Sequence, residues 1–138
     1  MSVDTFAFLR DDRLPTIEQW QDALAREDVG IELENVGSLR EHNGYLPAMH
    51  RGHQSGFEWY YGSIADVYSG PTPTGLDDRQ HAINCVTHSD MRELVCGMVS
   101  LAVLAQLADG LVYDEESNQF ISGEAALKIA REIEATSL

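Results

Sequence analysis

The chain has 138 residues, which suits one domain of ordinary size, and its 43% hydrophobic content is enough to form a core. The formal net charge is −14, from 23 acidic against 9 basic residues. Such a surface repels nucleic-acid phosphates and anionic lipid and favours a cationic partner, although acidity alone also keeps proteins in solution.

Three features of the sequence lead us to expect a cytoplasmic protein. Cys85 and Cys96 are the only cysteines, and two cysteines without an export signal are typical of reduced thiols. The N-terminus lacks the basic segment and long apolar run of a signal peptide. The apolar run 94–108 is too short and too closely flanked by charge for a membrane span, so it predicts a buried helix.

The N-terminal half predicts a strand, a helix and three further strands. A strand over 3–9 is followed by a helix that Thr16 caps, with Gln19 completing a capping box and Gly30 ending the helix. The three strands are predicted at 31–34, 45–51 and 56–64, with a hairpin turn at 52–55. Pro47 indicates that the strand containing it is an edge strand or is bulged.

The C-terminal half begins with the longest predicted loop, residues 66–80, which holds two of the four prolines. Long ordered loops are disproportionately functional. A buried strand at 81–87 leads to a helix over 90–108, capped by Ser89 or Thr87. The remaining predicted elements are the helix stop Asp109-Gly110, a hairpin of 111–114 and 119–121, and a final helix over 123–135 capped by Ser122.

This order of elements predicts the fold class. Strands mostly follow strands, which favours an α+β fold, a single domain over 1–138 with a mainly antiparallel sheet. The apolar run predicts a buried central helix, with two further helices packed on it.

Two short patterns could supply metal ligands or a nucleophile. His50 and His53 have H-x-x-H spacing, and Cys85 and His88 have C-x-x-H spacing. A strand places residues three apart on opposite faces, so neither pair converges without a turn, and a cysteine in an apolar strand is usually inert. With no nucleotide-binding, hydrolase or metalloprotease motif either, we expect no enzyme, metal or cofactor; a metal-dependent enzyme or regulator is the alternative.

The segment 56–62 is the most unusual stretch of the chain. In a half-buried strand, Phe57, Trp59 and Tyr61 face one way and are expected to be core, while Glu58 and Tyr60 face the other way. Exposed aromatic residues beside acidic groups suit a basic protein partner, because interface hot spots favour aromatics.

Two groups of segments resemble a known class of protein. The first comprises 14–16 with Trp20, 44–47 and 56–58; the second is the apolar helix ending at Asp109-Gly110, the strand after it and the closing helix. They resemble small acidic bacterial immunity proteins, encoded with secreted antibacterial toxins. The resemblance implies docking over a toxin's active or substrate-binding surface, and it carries no catalytic residue.

We therefore predict an immunity protein that binds a basic toxin or effector and contacts neither nucleic acid nor membrane directly. Acidic side chains would guide the encounter and aromatic side chains would hold the complex. The candidate interface residues are Glu58, Tyr60, Asp66, Tyr68, Asp77, Asp78, Glu115 and Glu116. The alternative is a dimeric acidic secretion chaperone for an exported effector; a nucleic-acid enzyme would also fit as the partner of such an acidic surface.

Overall fold

Seven strands form one antiparallel sheet in the order β2-β3-β4-β5-β1-β6-β7. The computed structural model describes residues 2–71, 73–88 and 90–138. The strands are β1 Ser2–Leu9, β2 Ile31–Leu33, β3 Gly44–His50, β4 His53–Ser63, β5 His81–His88, β6 Leu111–Asp114 and β7 Gln119–Ser122. The α-helices are α1 Ile17–Arg26, α2 Ile64–Val67, α3 Met91–Leu107 and α4 Gly123–Ser137. These elements confirm the predicted α+β class.

Helix α3 is the centre of the core, as predicted. Ten of its 17 residues are buried, because it is apolar on nearly every side and packs against the sheet, α1 and α4. It ends at Leu107, where Asp109 adopts a φ of 53° and the Gly110 N–H donates to the Ala105 carbonyl at 2.8 Å. This is the predicted helix stop. None of the described helices combines the length and apolarity needed to cross a membrane.

Local capping signals place most helix ends correctly, with two corrections. The capping box of Thr16 and Gln19 is present at the start of α1, and Ser122 caps α4. The cap of α3 is Asp90, because Thr87 is buried inside β5; Ser89 lies outside the described residues. Helix α1 ends at Arg26 rather than at Gly30, and Asp28 takes the left-handed conformation after it.

The β3–β4 hairpin is tighter than predicted. Its turn is the two residues Arg51 and Gly52, with φ values of 48° and 84°, rather than residues 52–55. Two-residue turns of this hand match the twist of the strands, so His53–Ser55 join β4. Strand β3 is not the edge strand. Pro47 lies next to the three residues of β3 that pair with β2: its carbonyl still accepts from the Glu34 N–H at 2.9 Å, and its missing N–H falls where this ladder ends.

The predicted loop 66–80 is only partly irregular. Its first residues belong to α2, and beyond them Tyr68 and Leu76 pack over the sheet face that α3 does not cover. They complete a second, smaller hydrophobic cluster with Phe8 and Ala82. The rest of the loop is thereby anchored beside the start of β5, with Thr72 outside the described residues.

Candidate functional site

The two faces of the sheet differ along β4. Phe57 and Trp59 are 2% and 0% exposed and point into the core, which confirms their predicted role, and Tyr61 packs half-buried against the same core. Glu58 and Tyr60 alternate with them and lie on the other face, half-buried. Helices α1, α3 and α4 therefore leave the Glu58 side of this part of the sheet in contact with solvent.

Strand register places two rows of side chains on this solvent-facing side. The first row is Tyr45, Glu58, Val86 and Asp4, across β3, β4, β5 and β1. The second row is Tyr60, Asn84 and Phe6, across β4, β5 and β1. None of the seven is fully buried, and we call this set the open face. It combines aromatic rings with two carboxylates.

Glu58 holds a fixed negative charge at the centre of the open face. Its carboxylate accepts hydrogen bonds from the Tyr60 hydroxyl and from the His88 ring. The bond from Tyr60, and to a lesser extent the bond from His88, lowers the pKa of Glu58. The bond between Tyr60 and Glu58 also raises the pKa of Tyr60. At neutral pH the pair therefore consists of a carboxylate and a neutral phenol, which a cationic group can approach.

A groove of about 590 Å³ adjoins the open face along β2, β3 and the start of β4. Its lining combines the acidic residues Glu32, Glu34 and Glu93 with the apolar side chains of Pro47 and Met49. Carboxylates beside apolar side chains suit the charged head and aliphatic stem of a lysine or arginine.

Tyr45 joins the groove to the open face. Its ring lies over Gly56, its hydroxyl donates to the Ser55 carbonyl at 2.9 Å, and it remains 48% exposed. Partial burial and then the charge of Glu93 raise its pKa, so the hydroxyl stays protonated. The sequence analysis did not identify Tyr45 or the acidic residues of the groove as candidates. They come together only through the register of β2, β3 and β4. The alternation of apolar and acidic residues over 31–34 was the one local signal of this surface.

The structure brings together only some of the eight candidate interface residues. Glu58 and Tyr60 lie side by side on the open face. Glu115 and Glu116 are exposed in the β6–β7 turn. Because β6 starts opposite Phe8 and runs antiparallel to β1, this turn lies toward the end of the sheet where β1 begins. That end also carries the first row of the open face.

Three of the other four candidates, Asp66, Asp77 and Asp78, lie toward the opposite end of the sheet, where β1 ends and β5 begins, and Tyr68 lies against Phe6 of the open face. Asp77 and Asp78 are within 3.6 Å and 3.4 Å of the guanidinium groups of Arg79 and Arg10, which offset their charge. Asp66 is exposed in α2. Tyr68 packs edge-on against Phe6 and Phe8, with ring centroids 5.0 and 5.6 Å apart, so much of its ring belongs to the second hydrophobic cluster.

The cysteine and histidine patterns do not converge as ligand sets. Cys85 points into the core, while His88 is exposed and bonds Glu58 on the open face. Burial raises the pKa of Cys96 to about 11 and raises that of Cys85 further. Within residues 2–71, 73–88 and 90–138, no group of three or more His, Cys, Asp or Glu side chains is placed to hold a metal ion.

Among the histidines, all of which lie in the described part of the chain, His50 alone is fully buried, at 0% exposure, and it lies on the helix side of the β3–β4 hairpin. Its Nε2 is 2.8 Å from the Glu134 carboxylate of α4, and its Nδ1 is 3.2 Å from Nη1 of Arg92 in α3. An arginine only donates, so Nδ1 accepts and Nε2 carries the proton. Burial lowers the pKa of His50, which keeps this neutral tautomer in place at neutral pH.

This burial predicts a pH-dependent stability. The unfolded chain protonates His50 near pH 6.5, whereas the folded protein does so at a lower pH. The contribution of neutral His50 to the free energy of unfolding is therefore fully present above about pH 6.5. It is lost as the pH falls from there through the pKa of His50 in the folded protein, because proton uptake breaks the Arg92 contact. The free energy of unfolding, measured by urea denaturation from pH 7.5 to 5, should fall less steeply in His50→Gln than in the wild type. The matched control is His53→Gln at an exposed position; equal slopes in all three proteins would contradict the assignment.

Comparison of this chain with protein-family models, with curated proteins and with solved structures finds no match.

Proposed function

We propose that this protein is a cytoplasmic immunity protein that neutralises a basic antibacterial toxin. The open face and its groove would cover the active or substrate-binding surface of the toxin. The observation that supports this proposal most directly is the composition of that surface: aromatic rings stand among carboxylates on a part of the sheet that helices α1, α3 and α4 leave in contact with solvent. Interface hot spots are enriched in such aromatic residues.

The distribution of charge supports a partner that approaches from this side. Arg10, Arg40 and Arg79 all make their ion pairs toward the opposite end of the sheet, with acidic residues of the segments next to β1 and β5. Glu32 and Glu34 at the groove are exposed, and none of the ion pairs in the described part of the chain includes them. With a net charge of −14, such an arrangement attracts a cationic protein, and steering of this kind raises association rates by about 10- to 1,000-fold.

The groove suggests how the complex would be held once formed. A lysine or arginine of the toxin would lay its stem on Met49 and Pro47 and place its charged head between Glu32 and Glu34. Tyr45 would pack beside it, because the ring is exposed and already fixed by its bond to Ser55. A basic substrate cleft occupied in this way would be closed to its substrate.

The first experiment captures the partner from the native bacterium with tagged protein, and then tests whether co-expression of this protein restores growth to cells that express the captured toxin. Restored growth supports the proposal. Recovery of many exported clients by a protein that sediments as a dimer would replace it with the secretion-chaperone function.

The second experiment locates the interface on the identified complex. Glu32→Gln with Glu34→Gln removes two charges from the groove, whereas Asp22→Asn with Glu132→Gln removes two exposed charges from helices on the other side of the sheet. We expect the groove variant to associate several-fold more slowly and with a weaker salt dependence than the control variant. Tyr45→Ala should mainly accelerate dissociation, by roughly thirtyfold for a hot spot of about 2 kcal/mol. Equal association rates for the two double variants would exclude the groove from the interface.

A further inference from the structure

A second cavity, of about 460 Å³, lies on the helix side of the sheet at the tip of the β3–β4 hairpin. Basic side chains from three separate elements line it. Arg51 and His53 come from the hairpin, Arg92 from the first turn of α3, and Arg131 from α4. The cavity thus gathers three of the eight arginines of a strongly acidic protein, together with two of its five histidines if buried His50 is included.

Arg92 is the least neutralised of these cations. It is half-buried, yet none of the ion pairs in the described residues includes it. Its Nη1 donates to the neutral ring of His50 at 3.2 Å and to the His50 carbonyl at 3.4 Å. Two neutral acceptors orient the guanidinium but leave its positive charge without a counter-ion.

The remaining charges of the cavity nearly cancel. Glu134 accepts from Arg51 Nε at 2.9 Å and from His50 at 2.8 Å, and Arg131 lies 3.5 Å from Glu27. Three guanidinium side chains thus line the cavity with a single carboxylate side chain, that of Glu134, and Arg92 is the one guanidinium that pairs with no carboxylate in the described residues. An anion entering the cavity would take up the donors that Arg92 does not use.

We infer that this cavity binds the phosphate group of a small phosphorylated molecule. Guanidinium groups match the geometry of phosphate oxygens, and donors that converge from three elements suit a tetrahedral anion. The volume lies within the range of small-molecule sites, so it accommodates more than the phosphate alone. This site is separate from the open face and does not depend on the proposed toxin-binding role.

The test titrates the purified full chain with inorganic phosphate, with sodium chloride added to keep the ionic strength at 0.15 M or above. At this ionic strength the Debye length is about 8 Å, so the distant acidic residues are largely screened. NMR should show saturable shifts at the amides and rings of His50, Arg51, His53 and Arg92, with smaller shifts elsewhere. A phosphomonoester of a short alcohol should bind more tightly than phosphate if the remaining volume is used.

Matched variants locate the response. Arg92→Gln and Arg26→Gln remove the same charge, but Arg26 is exposed in the last turn of α1 and does not line the cavity. We expect Arg92→Gln to weaken phosphate binding by about tenfold or more, and Arg26→Gln to leave it unchanged. If Arg92→Gln fails to fold, His53→Gln serves in its place: His53 lines the cavity but is exposed, and its replacement should also weaken phosphate binding. The inference is overturned if wild-type protein gives no saturable shift, if acetate produces an equal response, or if both arginine variants bind alike.

Discussion

Replacing Trp20 with alanine is expected to lower the free energy of unfolding by about 3–5 kcal/mol. The Trp20 ring is completely buried, with its centroid 5.3 Å from that of Trp59 and 6.1 Å from that of Phe57. Its indole N–H donates to the Ser100 carbonyl of α3 at 2.9 Å, so one side chain joins α1, the sheet and the central helix. Urea or thermal unfolding would measure the loss.

The variant Trp20→Phe separates packing from hydrogen bonding. It retains an aromatic ring in the same space but loses the bond to Ser100, which is worth roughly 1 kcal/mol. We therefore expect its stability to lie between those of the wild type and Trp20→Ala. A loss below about 1 kcal/mol in the alanine variant would mean that this ring does not anchor α1, since burial of a ring of this size is worth more.

Replacing Gly123 with alanine should also destabilise the protein, by about 2 kcal/mol or more. Gly123 begins α4 where this helix packs against the backbone of α3. An added Cβ would lie 2.6 Å from the Cα of Gln106 and 2.7 Å from the Ala102 carbonyl, so the two helices would have to move apart. Helix propensity acts in the opposite direction, but it favours alanine by only about 0.5–1 kcal/mol.

Gly97→Ala provides a graded comparison within α3. Its Cβ would meet side-chain atoms, Thr87 Cγ2 at 2.9 Å and Cys85 Sγ at 3.0 Å, rather than the backbone of another helix. Side chains shift more easily than backbone, so we expect a smaller loss than in Gly123→Ala when both are measured by chemical denaturation. Wild-type stability of Gly123→Ala would contradict the expectation that α3 and α4 cannot separate here without a loss of packing.

Features of the fold that depend on residues close together in the sequence could be predicted. The capping box at Thr16, the cap at Ser122 and the stop after α3 each involve groups a few positions apart, and all three are present. Alternation along β4 likewise separated core residues from Glu58 and Tyr60. The cap of α3 was assigned wrongly because Thr87 and Asp90 are both good capping residues, and the length of β5 decides between them.

The sites could not be predicted in the same way, because they depend on contacts between distant segments. Tyr45 meets Glu58 only through the register of β3 and β4, which the two-residue turn at Arg51 and Gly52 sets. His50 and Glu134 are 84 positions apart. The ion pair of Asp78 with Arg10 likewise joins two distant segments, whereas that of Asp77 with Arg79 is local.

The shortness of strand β2 limits how another chain can pair with this edge of the sheet. An edge strand with a long row of unpaired backbone groups would recruit a further strand and promote aggregation. Here β2 has only three residues, and Pro47 follows on β3 without an N–H to offer. An incoming segment would find few free backbone groups to pair with at this edge of the sheet. We therefore expect a partner to bind there through side-chain contacts and charge, and not by adding a strand to the sheet. Strand β7 at the other edge has only four residues, so neither edge offers a long template for the edge-to-edge pairing that leads to fibres.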